Sequence, residues 1–339
     1  MGDPVFIKLH QSQVNYHHPR FIFLNSQLRY KLHSEFSIIK CEGLEHQDNS
    51  LKAQDIHLDL PNKRFQIIGS SNGLMCLSRP PINKSIYVVN PVTRETLKLK
   101  RSLEFSKMSE SSLCGFAYDN IANTYKVFRT WTKKKQPRTR LEIYTLGTCK
   151  WRRKKDIHIH FSAPWISSQV LLNGALHWLP CHNGDRREMQ TLIVALDINS
   201  EKCRTFEVPP PDNWLEYRGL SLLGDALSVT DYYMGNIELW VMKKYGLKES
   251  WCREYVLRRD MFRALQNVSI NIFRIMKING SVLLYGDQGD VYYFDLEKET
   301  LKDVWIDGLS QLPLLVDAEV HEESLISPKS IEIKGVKNS

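Results

Sequence analysis

His158-Ile159-His160 sets two imidazoles on the same side of an extended segment, a spacing at which two ring nitrogens can share a metal ion. Cys181-His182 offers a thiol next to a base, the pair a cysteine nucleophile needs. Neither carries far. The histidines read as solvated loop residues. Adjacent side chains at a strand end point apart, so the thiol and imidazole of Cys181-His182 do not meet. The acidic residues are dispersed, without a paired-carboxylate or His-x-x-x-His pattern, and no phosphate-cradling glycine loop is present. We expect no catalytic site, no metal and no cofactor.

The residues left for function are cationic and aromatic. Lys133-Lys134-Lys135 with Arg138, and Arg152-Arg153-Lys154-Lys155, form two basic runs. Residues 126–155 hold twelve Lys or Arg against a single acid, Glu142, a balance of +11 that leaves −3 for the rest of a chain whose net charge is +8. The charge is local, so it marks a place on the molecule rather than a property of its whole surface. Three readings stay open: nuclear import or nucleic-acid contact, docking of an acidic protein, or a solvated loop and charged edge strand. Trp131, Trp165, Trp214 and Tyr232-Tyr233 fall where loops leave strands, and large aromatics with few rotors are favoured interface anchors.

What must position these residues is a repeated sheet. Residues 65–99 read as two hairpins in series: an apolar run, a tight turn at Asn72-Gly73, a second run, then a Pro91-containing turn between YVV and TLKL. Asn-Gly is the strongest short hairpin signal because both positions tolerate the positive φ of a type I′ turn. Equivalent turns follow at Asn120 to Asn123, Asn173-Gly174, Gly224-Asp225 and Asn279-Gly280, about 50 to 55 residues apart, near the period of kelch-type blades. The second hairpin recurs at the same spacing from Tyr87, Leu141, Leu192, Ile237 and Val291. Trp151, Trp251 and the LHWL run read as blade-packing features.

Before the first full copy, Arg20 to Pro61 supplies three strands, read as RFIFLNSQ, LRYKLHSE and IHLDLP; after the last, Ala318 to Pro328 supplies one. A toroid avoids a free sheet edge by completing one blade from both ends of the chain. The expectation is an all-β, kelch-like β-propeller of six blades of four antiparallel strands, one closed by both termini; a helical turn at Met261 to Gln266 in the ragged fifth repeat leaves seven open. In such blades the long connections, from second to third strand and from blade to blade, leave on one face, and binding residues concentrate on long loops of rigid scaffolds. We divide the chain into residues 1–19, a remnant and linker, 20–330, the propeller, and 331–339, a tail.

Hydrophobic residues make up 42% of the chain and mean hydropathy is −0.36, with no apolar stretch of membrane-spanning length. MGDPVFIKLHQSQ has neither the basic flank nor the apolar core of a signal peptide, and Gly2 lacks the context for myristoylation. Seven scattered cysteines without a C-x-x-C pair favour reduced thiols. We expect a monomer in cytoplasm or nucleus that does not engage membranes.

The same residues resemble a known family. SSNGLMCL followed by YVVNPVTRETLKL is similar to the signature hairpins of the F-box-associated domain of plant F-box proteins. GFAYDNIANTYKVFR, LEIYTLGTCKWRR, LLNGALHWL and IELWVMKKYGLKESW resemble its later signatures in order, over about residues 20–330. The resemblance implies the target receptor of a Skp–cullin–F-box ubiquitin ligase, with this domain binding the target protein; the loop lengths place that binding on the long-loop face. Asp3 to His10 is similar to the residues that follow an F-box, and the F-box itself is missing from the chain, so a Skp-type adaptor is expected only where an F-box is supplied upstream. The alternative is a propeller that binds targets, or nucleic acid, outside a ligase.

Overall fold

The computed structural model describes residues 20–26, 34–40, 50–61, 63–79, 85–102, 113–132, 139–154, 169–179, 192–211, 215–263, 272–278, 281–286, 291–307 and 315–337. They form six small sheets arranged as a propeller. Blade one is β4 (Gln66–Ser71), β5 (Leu74–Ser78), β6 (Ile86–Val89) and β7 (Thr96–Lys98). Blade two is β8 (Cys114–Asp119), β9 (Thr124–Thr132), β10 (Thr139–Thr145) and β11 (Trp151–Arg153). Blade three is β12 (Val170–Leu172), β13 (Ala175–Trp178), β14 (Leu192–Asp197) and β15 (Cys203–Glu207). Blade four is β16 (Tyr217–Leu223), β17 (Ala226–Tyr233), β18 (Asn236–Met242) and β19 (Trp251–Leu257). Blade five is β20 (Ile272–Ile278), β21 (Ser281–Gly286), β22 (Val291–Asp295) and β23 (Thr300–Asp303).

The sixth blade closes the ring from both directions. Its strands β1 (Arg20–Ser26), β2 (Ser34–Lys40) and β3 (Ser50–Ile56) are completed by β25 (Leu315–His321), which pairs antiparallel with β1 along seven residues. A fifth strand, β24 (Trp305–Asp307), lies parallel to β3 at the outer edge, with Trp305 opposite Ser50. Three strand positions differ from the sequence reading, the closing strand being Leu315–His321 rather than residues 318–328. The second strand is Ser34–Lys40 rather than residues 28–35, and the third is Ser50–Ile56 rather than residues 56–61. The third strand, SLKAQDI, is an outer strand with Lys52, Gln54 and Asp55 exposed, so it carries little of the apolar alternation that betrays a strand.

Each core lies between two blades. Ile68, Val88, Phe116, Tyr125 and Val127 pack blade one on blade two; Phe128, Ile143, Leu176 and Trp178 pack two on three; Ile193, Phe206, Val229 and Trp251 pack three on four; Ile237, Leu239, Leu284 and Phe294 pack four on five. A middle strand therefore buries both faces, which is why β5 reads LMCLS and β6 reads IYVV as unbroken apolar runs. Outer strands such as β11 and β23 bury little.

Two turn designs recur on one face. First-to-second-strand hairpins turn at Asn72-Gly73 and Asn173-Gly174 with positive φ at all four residues. Third-to-fourth-strand turns place Arg94, Cys149, Glu201 and Glu299 at positive φ. Three of these begin on a side chain that folds back on the backbone: Asn90 Oδ1 accepts from the amides of Val92 and Thr93, Asp197 Oδ1 from Ser200, and Asp295 Oδ1 from Glu297 and Lys298.

After β25 the chain crosses this face. Asn90 Nδ2 donates to the carbonyls of Ser324 (2.9 Å) and Ile326 (2.8 Å), and Ser324 Oγ donates to Gly73 O. A Cβ on Gly73 would stand 2.0 Å from Ser324 Oγ, so glycine is required there for approach as well as for φ. Helix α2 (Pro328–Lys337) follows, with Ser327 Oγ accepting from Ser330 N as its N-cap and Pro328 in its first turn. Ile326 and Ile331 pack on the core between blades one and two, and Glu332 holds Tyr144 Oη and Gly147 N. The expected boundary between propeller and tail at residue 331 thus falls inside a helix docked on the ring.

Candidate protein-binding face

The opposite face receives the connections from second to third strand and from blade to blade. Its strand ends are braced by two buried ion pairs formed in register across neighbouring strands. Arg129 on β9 lies opposite Glu142 on β10, its Nε 2.8 Å from Oε1, and its guanidinium sits over the Trp151 ring at 4.3 Å. Arg218 on β16 lies opposite Asp231 on β17, with Nη2 2.6 Å from Oδ2. Both pairs also reach into a connection between blades: Ser102 Oγ donates to Glu142 Oε2 at 2.6 Å, and Arg218 Nη2 donates to Pro209 O at 3.0 Å. A buried charge is tolerated only when paired and hydrogen-bonded, and here each pairing fixes the root of a long connection. Sequence reasoning missed these pairs; the signal for the first was a charge set among apolar neighbours in YKVFRTW and LEIY.

The sequence-selected aromatics divide. Trp131 is 1% exposed and Tyr232 6%, so neither is the exposed anchor that the sequence suggested. Tyr233 is half-buried and donates to Glu238 Oε1 at 2.7 Å, an oxygen that Arg253 also reaches at 2.7 Å. The connection carrying Tyr232-Tyr233 is not a long loop: Met234-Gly235 alone joins β17 to β18. Trp165, Trp214, Lys133, Lys134, Lys135, Arg138 and Lys155, like His158, His160, Cys181 and His182, lie outside the described residues.

Two cations of the basic run on and just after β11, Arg152 and Lys154, are committed. Glu201, in the β14–β15 turn of blade three, receives Arg152 Nη1 at 2.9 Å, Lys154 Nζ at 3.0 Å and the buried Lys126 Nζ at 3.2 Å, all from blade two. Lys126 Nζ also reaches Asp119 (2.8 Å) and Ile198 O (3.0 Å). Burial works to raise the Glu201 carboxyl, but hydrogen bonds from Arg152, Lys154 and Lys126 outweigh it and hold it at about 2, against an ordinary 4.5. Arg152 and Lys154 therefore clasp blade two to blade three while keeping part of their side chains in solvent; Arg153 is exposed.

Among the described residues no three His, Cys, Asp or Glu side chains are grouped to hold a metal, and no helix is long and apolar enough to cross a membrane. What the face offers is a rigid rim of pinned loop roots, an arrangement suited to recognition of another macromolecule.

Comparison with known proteins agrees with this architecture. The model of the F-box associated beta propeller domain matches residues 21–322. Among curated proteins of Arabidopsis thaliana, F-box protein At3g07870 is 27% identical over 72% of this chain and 67% of its own length. F-box protein At5g65850 is 28% identical over 72% of this chain and 63% of its own length, and F-box/kelch-repeat protein At3g23880 is 24% identical over 79% and 70%. The chain spans about two thirds of the length of such relatives.

Proposed function

The chain belongs to the F-box associated beta propeller domain family, and from that premise we propose that it is a target-recognition domain that binds a protein through its long-loop face. It acts by binding and not by catalysis. The observation that carries this reading is the pinning of loop roots by Arg129–Glu142 and Arg218–Asp231, which holds the ends of long connections at fixed positions. A binding surface of preset geometry loses less entropy on association than one ordered by its partner. Cationic residues at 133–138 favour an acidic target by raising the rate of encounter. Where an F-box precedes the domain, its target is presented to a Skp–cullin–F-box ligase for ubiquitination.

The test is crosslinking mass spectrometry on the full chain with a captured target. Crosslinks from residues 133–138, 155–168, 180–191 and 212–214, with weaker binding in the Trp165→Ala, Trp214→Ala double variant, are expected. Crosslinks confined to the face of tight turns would overturn the assignment. The ligase role is tested separately, by co-purification of a Skp-type adaptor with a product that carries an F-box segment upstream. A nucleic-acid reading of the basic blade is disfavoured by the use of Arg152 and Lys154 on Glu201.

A further inference from the structure

Met234-Gly235 is a two-residue hairpin turn with φ of 48° and 84°, the left-handed pair of a type I′ turn. The first position of such a turn favours asparagine, and the chain places asparagine there in two other hairpins, Asn72 at φ 45° and Asn173 at φ 50°. In an unbranched apolar residue the left-handed region crowds Cβ against the backbone and returns no local hydrogen bond. Packing does not offset that cost, because Met234 is 75% exposed. A large apolar side chain is thus held in solvent by a conformation that disfavours it, on the face where the long connections emerge. Strain of this kind gathers at ligand-contacting positions.

The neighbourhood is built to hold it. Met234 N donates to Glu216 Oε1 at 2.8 Å. Across the turn, Arg259 at the start of the short helix α1 (Arg259–Arg263) donates its backbone N–H to Asn236 Oδ1 at 3.0 Å. The Arg259 side chain lies against Gly235, where a Cβ would stand 2.7 Å from its Cδ. The next cation, Arg258, pairs with Asp260 at 3.4 Å, whereas Arg259 has no ion-pair partner among the described residues. An exposed thioether on a fixed turn therefore stands one residue from the glycine against which Arg259, without an ion-pair partner among the described residues, lies.

We propose that Met234 and Arg259 form a docking site for a partner protein segment that presents an apolar side chain next to a carboxylate. The proposal rests on the loop-face reading above and narrows it to the rim of blade four. Methionine suits the apolar half because its flexible, polarizable side chain adapts to the shape it meets, and arginine suits the other half through its planar fork for carboxylates.

The test uses the full chain and a displayed random-peptide library. Selected peptides are expected to pair an apolar residue with a neighbouring Asp or Glu. Fluorescence polarisation with one such peptide should show binding weakened about tenfold or more in Met234→Asn and in Arg259→Glu, the loss typical of an anchor contact. Met234→Asn suits the left-handed turn, so its melting temperature should be unchanged or raised, which separates lost contact from lost fold. A selection yielding no peptide sensitive to both substitutions would overturn the proposal. So would self-association of the chain abolished by Met234→Asn, since the occupant would then be a second copy. Hydrogen exchange on the bound complex distinguishes the two levels of failure. Protection elsewhere on the loop face removes only the Met234 site, whereas protection confined to Asn72-Gly73 and Asn120 to Asn123 removes the loop-face reading with it.

Discussion

Gln169 lays its carboxamide along the backbone of Phe116 in the neighbouring blade, Oε1 2.7 Å from the amide nitrogen and Nε2 2.8 Å from the carbonyl oxygen. Phe116 lies on β8, an innermost strand whose inner edge has no further strand to pair with. One side chain from blade three thus satisfies both backbone groups of a residue in blade two, in place of the missing strand. The glycines nearby follow from this: a Cβ at Gly69 would stand 1.8 Å from Gln169 Nε2, and one at Gly115 would press on Trp178, Leu176 and Gln169. A second inner-edge amide, Tyr118 N, is met by Ser71 Oγ from blade one at 3.0 Å.

Replacing Gln169 with leucine should leave the Phe116 N–H and C=O buried and unpaired, at a cost of about 2–4 kcal/mol. Gln169→Glu keeps an acceptor for the amide but sets a carboxylate against the Phe116 carbonyl, and should cost at least as much. Urea unfolding of the two variants against the parent chain measures this. Equal midpoints for all three would show that the inner edge is sealed some other way.

Glu201→Gln should loosen blade two from blade three by about 1–2 kcal/mol, because buried Lys126 loses one of its two carboxylates but keeps Asp119, while Arg152 and Lys154 can rehydrate. The same group sets a pH response. Its folded carboxyl titrates near 2 and its free value is 4.5, so the unfolded chain takes up the proton first on acidification. The contribution is complete above about pH 4.5 and is lost as the pH falls toward 2. Thermal melts across that window should be flatter in Glu201→Gln than in the parent.

His177 governs a separate and higher window. Its Nδ1–H donates to Val170 O at 3.1 Å, its Nε2 accepts from Tyr245 Oη at 2.7 Å, and that oxygen in turn accepts from Arg204 at 2.8 Å. Burial pushes the imidazole down to about 4 from 6.5. Between those values the unfolded chain binds a proton that the folded chain refuses, so stability declines as pH drops from 6.5 to 4, by up to roughly 3 kcal/mol. In His177→Phe that decline should vanish, and the midpoint at neutral pH should fall because Tyr245 loses its acceptor. Denaturant titrations at several pH values would expose a slope that survives the substitution.

The two parts of the C-terminal segment should respond differently to truncation. Ending the chain after His321 removes the strap and α2 but keeps β25 in the closing blade, so melting should occur at lower temperature yet stay cooperative. Ending it before Leu315 also removes the inner strand of that blade and should abolish the sharp transition. Calorimetry on both truncations checks this, and equal behaviour would mean that ring closure by β25 contributes little.

Much of the ring was legible in the chain. Asn72-Gly73 and Asn173-Gly174 announce their turns because few residues accept positive φ, and LMCL and IYVV announce middle strands because burial on both faces leaves no room for polar side chains. The strand SLKAQDI was misplaced because Lys52, Gln54 and Asp55 face solvent and leave little apolar alternation, and the C-terminal helix was missed because its short apolar face acquires meaning only against blades one and two.

Local conformational preference and periodic burial act along the chain, so the sequence by itself determined the order of the blades and their closure by both chain ends, while the count of six against seven was decided by the folded sheets. Contacts between residues far apart in sequence were decided only by the tertiary structure. Arg152 is drawn to a carboxylate 49 positions away and Gln169 to a backbone 53 positions away. Trp131 and Tyr232 passed from exposed anchors to buried packing. Met234 emerged as the exposed residue of a strained turn because neither its φ nor its accessibility is encoded in the identity of a methionine.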